Sequence, residues 1–220
     1  MAIFISRILS LLFHPMLILL YIFLFGIATN PFFFGFHGFS DKVVLMLFVF
    51  FTGFFIPLLS ILMMRALNLI PDLSMREKRQ RIFPYIATGI FYLWLLINVW
   101  SNPDIPVMLR GGVLGVVIAL FLSFFINNFE RLSAHAAGMG SLSGFVLIAG
   151  VFFSLEQFSV TIRSSTIAMD WVVVFALVFL MSGAVGTARL ILKKHQINEL
   201  IPGYFVGFMS QWIAFFILNR

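Results

Sequence analysis

Three short polar segments interrupt this apolar chain, and the last of them carries a histidine and a carboxylate at a spacing that suits nucleophilic chemistry. In this third polar connection (residues 188–199), His195 and Glu199 are four positions apart and share one face of a helix. A carboxylate that contacts one imidazole nitrogen fixes the tautomer and leaves the other nitrogen available as a base or nucleophile. An ordinary surface pair is the alternative, but an ionisable pair that leads into an apolar helix is also typical of a functional site.

The second polar connection (residues 130–138) places a serine and a histidine at the start of a long apolar segment. Ser133 is expected to cap the N-terminus of that helix, where free backbone N–H groups and the helix dipole favour an anion. His135 then lies in the first helical turn, at the membrane boundary. It is either an interfacial, hydrogen-bonded histidine or a general acid and base.

The first polar connection (residues 76–84) is rich in arginine and lysine. The positive-inside rule, which enriches cytoplasmic loops in these residues, accounts for such a cluster without any site. The functional alternative is a binding site for phosphate, because guanidinium groups match two phosphate oxygens and lysine adds a point charge. The candidate ligands are Arg76, Lys78, Arg79 and Arg81, of which Lys78 and Arg81 share a helical face.

Taken in order, the three connections resemble the motifs of the type 2 phosphatidic acid phosphatase family. That family has Lys-x6-Arg-Pro, then Pro-Ser-Gly-His, then Ser-Arg-x5-His-x3-Asp. This chain has a basic cluster that ends at Pro84, then Leu132-Ser133-Ala134-His135, then Ala188-Arg189-x5-His195-x3-Glu199. The resemblance covers roughly residues 76–207, and the ordered set is more specific than any one of its motifs.

Several positions depart from the family pattern. Glu199 replaces the aspartate and is one methylene longer, and Ala134 replaces the glycine. The first motif departs most, because counting back from Pro84 puts Phe83 in the arginine position and Arg76 in the lysine position. These departures favour a second hypothesis, in which the chain binds or transports an anionic lipid on the same fold without catalysis.

The resemblance implies a metal-independent phosphatase that needs no cofactor and acts through a phosphohistidine. His195 would attack phosphorus in line, Glu199 would orient it, and His135 would protonate the leaving alkoxide and later activate water. The nonbridging oxygens would be bound by Arg189, Ser133, Arg76, Lys78 and Arg81. The expected substrate is a membrane lipid with a phosphomonoester or diphosphate headgroup, such as phosphatidic acid, phosphatidylglycerol phosphate, a polyprenyl diphosphate or lipid A phosphate.

The composition requires that membrane helices position these connections. Hydrophobic residues make up 62% of the 220 residues and charged residues only 10%, which is too little polar surface for a soluble domain. This composition argues against a vanadate-dependent haloperoxidase, a soluble class that shares the motif geometry. The net charge of +6 fits anionic lipid headgroups, so no nucleic-acid partner is expected. The chain has no cysteine for a disulfide or a thiolate site.

Seven apolar segments are long enough to cross a bilayer. They are 8–28, 43–67, 83–100, 107–126, 136–155, 171–192 and 200–218. We therefore expect an all-α, polytopic transmembrane bundle of six to seven helices that forms one domain over residues 1–220. The first segment exceeds the 7–15 residues of a signal-peptide core, so we expect a retained span, with the His14-Pro15 step at its interfacial start.

Glycines recur at four-residue spacing in three of these segments. The pairs are Gly111/Gly115, Gly140/Gly144 and Gly203/Gly207. Small residues at this spacing let two helix backbones approach closely. We therefore expect close helix packing at these positions.

If all seven segments cross, the three polar connections share one side of the membrane. That side carries ten lysines and arginines against four on the other, which predicts a cytoplasmic site. Leaving out five candidate phosphate ligands reduces the difference to five against four, and the bacterial relatives implied by the resemblance act from the outer side. We expect an integral protein of the bacterial inner membrane, with both orientations of the site open.

Overall fold

The computed structural model describes residues 1–29, 39–73, 75, 77–153, 158–162 and 165–219. The helices are Ala2–Leu12 (α1), Ile18–Thr29 (α2), Phe39–Phe50 (α3), Ile56–Ala66 (α4), Ile82–Ser101 (α5), Val107–Asn127 (α6), Ala134–Phe152 (α7), Trp171–Ile191 (α8) and Ile197–Leu218 (α9). Within the described ranges, six helical stretches are long and apolar enough to cross a membrane, or up to seven if a bent N-terminal pair counts as one. The predicted all-α polytopic bundle is confirmed, and the chain is an integral membrane protein.

The first apolar segment is not one straight helix. α1 begins at Ala2, rather than at Ile8 as the sequence predicted, and the chain bends by 41° before the helical stretch Pro15–Ala28. Proline has no backbone N–H and restricts the residue before it, so His14 is extended (φ −64°, ψ 137°). The His14-Pro15 step therefore separates two helical pieces and does not start the first one.

α7 is the central helix, and it packs side by side with α9. A Cβ atom at Gly207 would clash with the backbone of Ala137 and Ser141, and one at Gly140 would clash with the backbone of Tyr204. The predicted close packing at these glycines is confirmed. Because α7 and α9 run parallel, their N-termini, which carry the second and third polar connections, lie next to each other.

Large apolar side chains cover much of the outer surface of the bundle. Val172 and Leu180 on α8 and Phe205 on α9 are all exposed. A soluble protein would bury such side chains, whereas a bilayer accepts them. This surface is the one that the composition predicted.

A short β-hairpin closes the end of the bundle opposite the polar connections. Phe158–Ile162 (β1) pairs antiparallel with Ser165–Met169 (β2), and Phe158 faces Met169 in the register. The ring of Phe158 lies 5.4 Å from that of Phe25 and 5.6 Å from that of Trp171. The sequence analysis did not predict this hairpin between the fifth and sixth apolar segments.

Candidate active site

The three polar connections meet at one end of the bundle through hydrogen bonds to backbone groups. The backbone N–H of Ser133 donates to the carbonyl of Glu199 at 3.1 Å, which joins the second connection to the third. The guanidinium of Arg81 donates to the carbonyl of Leu132 at 2.9 Å, which joins the first connection to the second. The structure thus gathers residues that are more than a hundred positions apart in the chain.

A cavity of about 230 Å³ opens beside this junction. Its charged and polar lining includes His14, Arg81, Tyr85, His135, Arg189 and His195. The rest is largely apolar and includes Ile18, Ile61, Leu73, Val116 and Leu120. A polar centre next to an apolar wall suits an amphiphile whose charged group sits beside its hydrocarbon part.

His195 and Glu199 form the hydrogen-bonded pair that their spacing predicted. Nδ1 of His195 lies 2.6 Å from Oε2 of Glu199, and Oε1 of the same carboxylate lies 3.6 Å from Nε of Arg131. A carboxylate only accepts hydrogen bonds, so Nδ1 carries the proton and a neutral His195 has its lone pair on Nε2. The imidazole is buried and borders the cavity. The pair therefore has the arrangement of an oriented imidazole base or nucleophile.

Burial, together with two nearby arginines, keeps His195 neutral near pH 7. Burial lowers the pKa of His195 from 6.5 to about 4, against the opposing effect of the hydrogen bond to Glu199. The positive charges of Arg189 and Arg81 act in the same direction as burial. A neutral imidazole retains the lone pair that a nucleophile needs.

His135, in the first turn of α7, borders the same cavity and is held by α1. Its Nε2 lies 3.0 Å from the carbonyl oxygen and 3.2 Å from the hydroxyl oxygen of Ser10. A carbonyl accepts only, so Nε2 carries a proton and donates it. The ring of His14 packs edge to face against His135, with ring centres 5.4 Å apart. His135 therefore lines the cavity with its Nε2 proton donated to Ser10.

Arg189, near the end of α8, also contacts Ser10. Its NH1 group donates to the hydroxyl oxygen of Ser10 at 2.6 Å. Its Nε atom is buried and has no hydrogen-bond partner among the residues that the structure describes. Ser10 therefore satisfies one edge of this guanidinium, and the Nε–H on another edge stays unpaired among the described residues.

Ser133 and the basic residues of the first connection take different positions. The hydroxyl of Ser133 accepts the N–H of Ala136 at 3.4 Å, as the predicted N-cap of α7, and the residue is fully buried. Arg81 borders the cavity, and the carbonyls of Met75 and Leu132 fix its guanidinium. Ser133 therefore acts on the helix end, and Arg81 is the basic residue that the described part of the first connection brings to the cavity.

Lys78 does not border the cavity, and Arg76 lies outside the described residues. The ammonium group of Lys78 donates to the carbonyl of Phe129 at 2.6 Å at an exposed position. Asn127 in turn donates to the carbonyl of Lys78 at 3.0 Å. In the structure, Lys78 therefore ties the first connection to the end of α6.

Four residues near the cavity were missed by the sequence analysis: Ser10, His14, Tyr85 and Ser123. Ser10 contacts both His135 and Arg189, and the other three line the cavity. Within the described part of the chain, the hydroxyls of Tyr85 and Ser123 are buried without a hydrogen-bond partner. The His14-Pro15 break in the apolar run was a sequence signal near Ser10 and His14. Tyr85 and Ser123 lie inside unbroken apolar runs, which give no such signal.

One cavity is thus lined by the residues to which the resemblance assigns the roles of nucleophile, acid and anion ligand: His195, His135 and Arg189. Across the described ranges, His, Asp and Glu side chains do not gather in groups of three or more that could hold a metal ion. In comparisons with known proteins, no family model, no curated protein and no solved structure matches this chain.

Proposed function

We propose that this protein is a metal-independent lipid phosphatase that hydrolyses a phosphomonoester or diphosphate headgroup through a phosphohistidine. The observation that carries the proposal is the His195–Glu199 hydrogen bond, set beside His135 and two arginines at one cavity. The motif resemblance supports the same reading. Arg189 and Arg81 would stabilise the negative charge on the phosphoryl oxygens, as a metal ion does in other phosphoryl-transfer sites.

In the first step, Nε2 of His195 attacks phosphorus in line. An N–P bond forms, the bond between phosphorus and the leaving oxygen breaks, and that oxygen takes the electron pair. The negative charge of the bound phosphate favours the protonated form of His135. That imidazolium gives its proton to the leaving oxygen, so a lipid alcohol departs, or a lipid monophosphate if the substrate is a diphosphate. Glu199 stabilises the positive charge on the phosphorylated imidazole, and Arg189 and Arg81 bind the nonbridging oxygens.

In the second step, water regenerates the enzyme. Neutral His135 takes a proton from a water molecule while the oxygen of that water attacks phosphorus. The N–P bond breaks, its electron pair returns to Nε2 of His195, and inorganic phosphate leaves. Each histidine thus ends the cycle in the protonation state in which it began.

The cavity lining supports a lipid substrate. The arginines and histidines are at the ends of the spans, where a headgroup lies, and the apolar residues Ile18, Leu73 and Leu120 continue the cavity from there. Such a lining accepts the part of a lipid next to its phosphate while the tails remain in the bilayer. The proposed location is the bacterial inner membrane, since helical bundles are the usual spanning fold there, whereas outer-membrane proteins are barrels.

Phosphate release from defined lipids tests the proposal. Purified protein in detergent, with a chelator present, is given phosphatidic acid, phosphatidylglycerol phosphate, a polyprenyl diphosphate or lipid A phosphate. We expect the wild type to release phosphate from at least one lipid and His195→Ala to be about 10³-fold slower or worse. If wild type releases no phosphate, or His195→Ala releases as much, the proposal is wrong. The exposed, off-cavity variant Glu77→Gln is the control for handling and folding.

The second candidate function is a binder or transporter of anionic lipid without catalysis. The departures at Glu199 and Ala134, and the contact of Ser10 with His135, favour it. Arginine-dependent binding would then survive loss of the nucleophile. Lipid binding or transport that is unchanged in His195→Ala and lost in Arg189→Ala, with no phosphate release by wild type, would establish this function instead.

A further inference from the structure

The hydroxyl of Ser10 lies between Arg189 and His135, the two residues that bind oxygens of the phosphate group in the proposed reaction. It accepts from NH1 of Arg189 at 2.6 Å and lies 3.2 Å from Nε2 of His135. The carbonyl of the same residue lies 3.0 Å from that Nε2. One residue of α1 thus engages both the anion-binding arginine and the proton donor.

Serine satisfies these groups less completely than an anion does. Nε of Arg189 is buried and, among the described residues, has no hydrogen-bond partner while NH1 is bound to Ser10. A phosphate can present two oxygens to NH1 and NH2 together, and bonds between two charged groups are stronger than bonds to a neutral hydroxyl. An anion at this position would therefore replace the serine contact by a stronger one.

We propose that Ser10 holds the place of a phosphoryl oxygen in the ligand-free protein, and that α1 is a plug that an entering phosphate group displaces. This inference rests on the proposed function, because it assigns the same site to phosphate. Displacement also frees Nε2 of His135, which donates to the carbonyl of Ser10 in the closed arrangement.

The break after α1 gives the plug a hinge. α1 ends at Leu12, and the chain turns by 41° before the helical stretch Pro15–Ala28 begins. Since Pro15 lacks the N–H that would continue the helix, α1 can move without breaking the backbone hydrogen bonds within the second piece. His14 lies in the hinge and packs against His135, so the hinge itself borders the site.

Phosphate affinity is the first test, because it needs no turnover. Isothermal titration of inorganic phosphate is made with wild type, Ser10→Ala and Ser6→Ala, the last being a matched change of a buried serine one turn earlier in α1. We expect Ser10→Ala to bind phosphate roughly tenfold more tightly, because it removes one hydrogen bond to a charged group. Ser6→Ala should match wild type. Weaker phosphate binding by Ser10→Ala would mean that Ser10 is a ligand of the anion. Unchanged binding would mean that Ser10 does not compete with phosphate. Either result would overturn the proposal that α1 is a plug.

The second test measures the position of α1 in protein that keeps Ser10. The chain has no cysteine, so spin labels at Phe4→Cys and Phe125→Cys, both exposed positions, report the distance from α1 to the end of α6. Saturating phosphate should shift this distance, and a distance that stays the same while phosphate binds overturns the proposal. If wild type hydrolyses a lipid phosphate but these results are contrary, the plug alone fails. If wild type neither binds phosphate nor releases it, the proposed function fails.

Discussion

Glu199 holds the imidazole of His195 with its side chain and the start of α7 with its backbone. Its Oε2 lies 2.6 Å from Nδ1 of His195, and its carbonyl accepts the N–H of Ser133 at 3.1 Å. One residue at the N-terminus of α9 therefore sets the distance between the candidate nucleophile and the helix that carries His135. The longer side chain, where the resembled family has aspartate, closes this hydrogen bond.

The first prediction concerns the carboxylate of Glu199. In Glu199→Gln, the amide no longer stabilises a positive imidazole and can donate to Nδ1, which favours the wrong tautomer. We expect kcat for phosphate release to fall by roughly 10²- to 10⁴-fold, as in other triads that lose this group. The release assay with the most active lipid phosphate measures the loss.

Two matched variants control this prediction. Glu77→Gln makes the same chemical change at an exposed position and should retain wild-type kcat. Glu199→Asp keeps the charge but draws the carboxylate back by one methylene, so its activity should lie between those of wild type and Glu199→Gln. Equal activity of Glu199→Gln and wild type would rule out an orienting role for this carboxylate.

The second prediction is that His195 resists protonation in mildly acidic solution. Because burial lowers its pKa from 6.5 to about 4, the folded protein keeps this imidazole neutral between these two values, where a free histidine gains its proton. Nitrogen NMR of labelled histidine in detergent should show a resonance that titrates near pH 4 and disappears in His195→Asn. A midpoint near 6.5 for that resonance would contradict the buried, arginine-flanked environment.

The third prediction separates two basic residues of the first polar connection. Arg81 borders the cavity and donates to the carbonyls of Met75 and Leu132, whereas Lys78 is exposed and contacts Phe129. Arg81→Gln should raise KM at least about tenfold, the effect of one charge-assisted bond, and Lys78→Gln by at most about twofold. The same release assay gives both values. A larger rise in Lys78→Gln would restore the lysine as a phosphate ligand.

Spacing along the chain predicted one contact of the candidate site, that between His195 and Glu199. His195 and Glu199 meet because four residues are about one helical turn, which is a local property of the chain. The contacts of Ser10 with His135 and Arg189 join residues 125 and 179 positions apart, and no local pattern predicts such a contact. Tertiary packing alone decides which lone serine reaches the site.

Hydropathy predicted the spans well and their breaks poorly. The segment predicted as 107–126 is the helix Val107–Asn127, because lipid requires every backbone group of a crossing segment to be bonded within it. The first segment was predicted as one span, but Pro15 interrupts it, and its apolar composition gives no sign of the 41° bend. The β-hairpin escaped prediction because connections are not subject to the same constraint.

The last prediction tests the helix contact on which the site depends. A Cβ atom at Gly207 would clash with the backbone of Ala137 and Ser141. Unlike a flexible side chain, these backbone atoms cannot move aside. Gly207→Ala should therefore destabilise the protein by about 3 kcal/mol, the upper end for overpacking, and should lower phosphate release as α7 and α9 separate. Gly183→Ala is the matched control, since no described atom lies within 4 Å of its added Cβ and alanine favours a helix. Thermal unfolding of both variants in the same detergent gives the comparison. Equal stability would mean that α7 and α9 do not pack backbone to backbone, and the contact between Ser133 and Glu199 would then lose its structural basis.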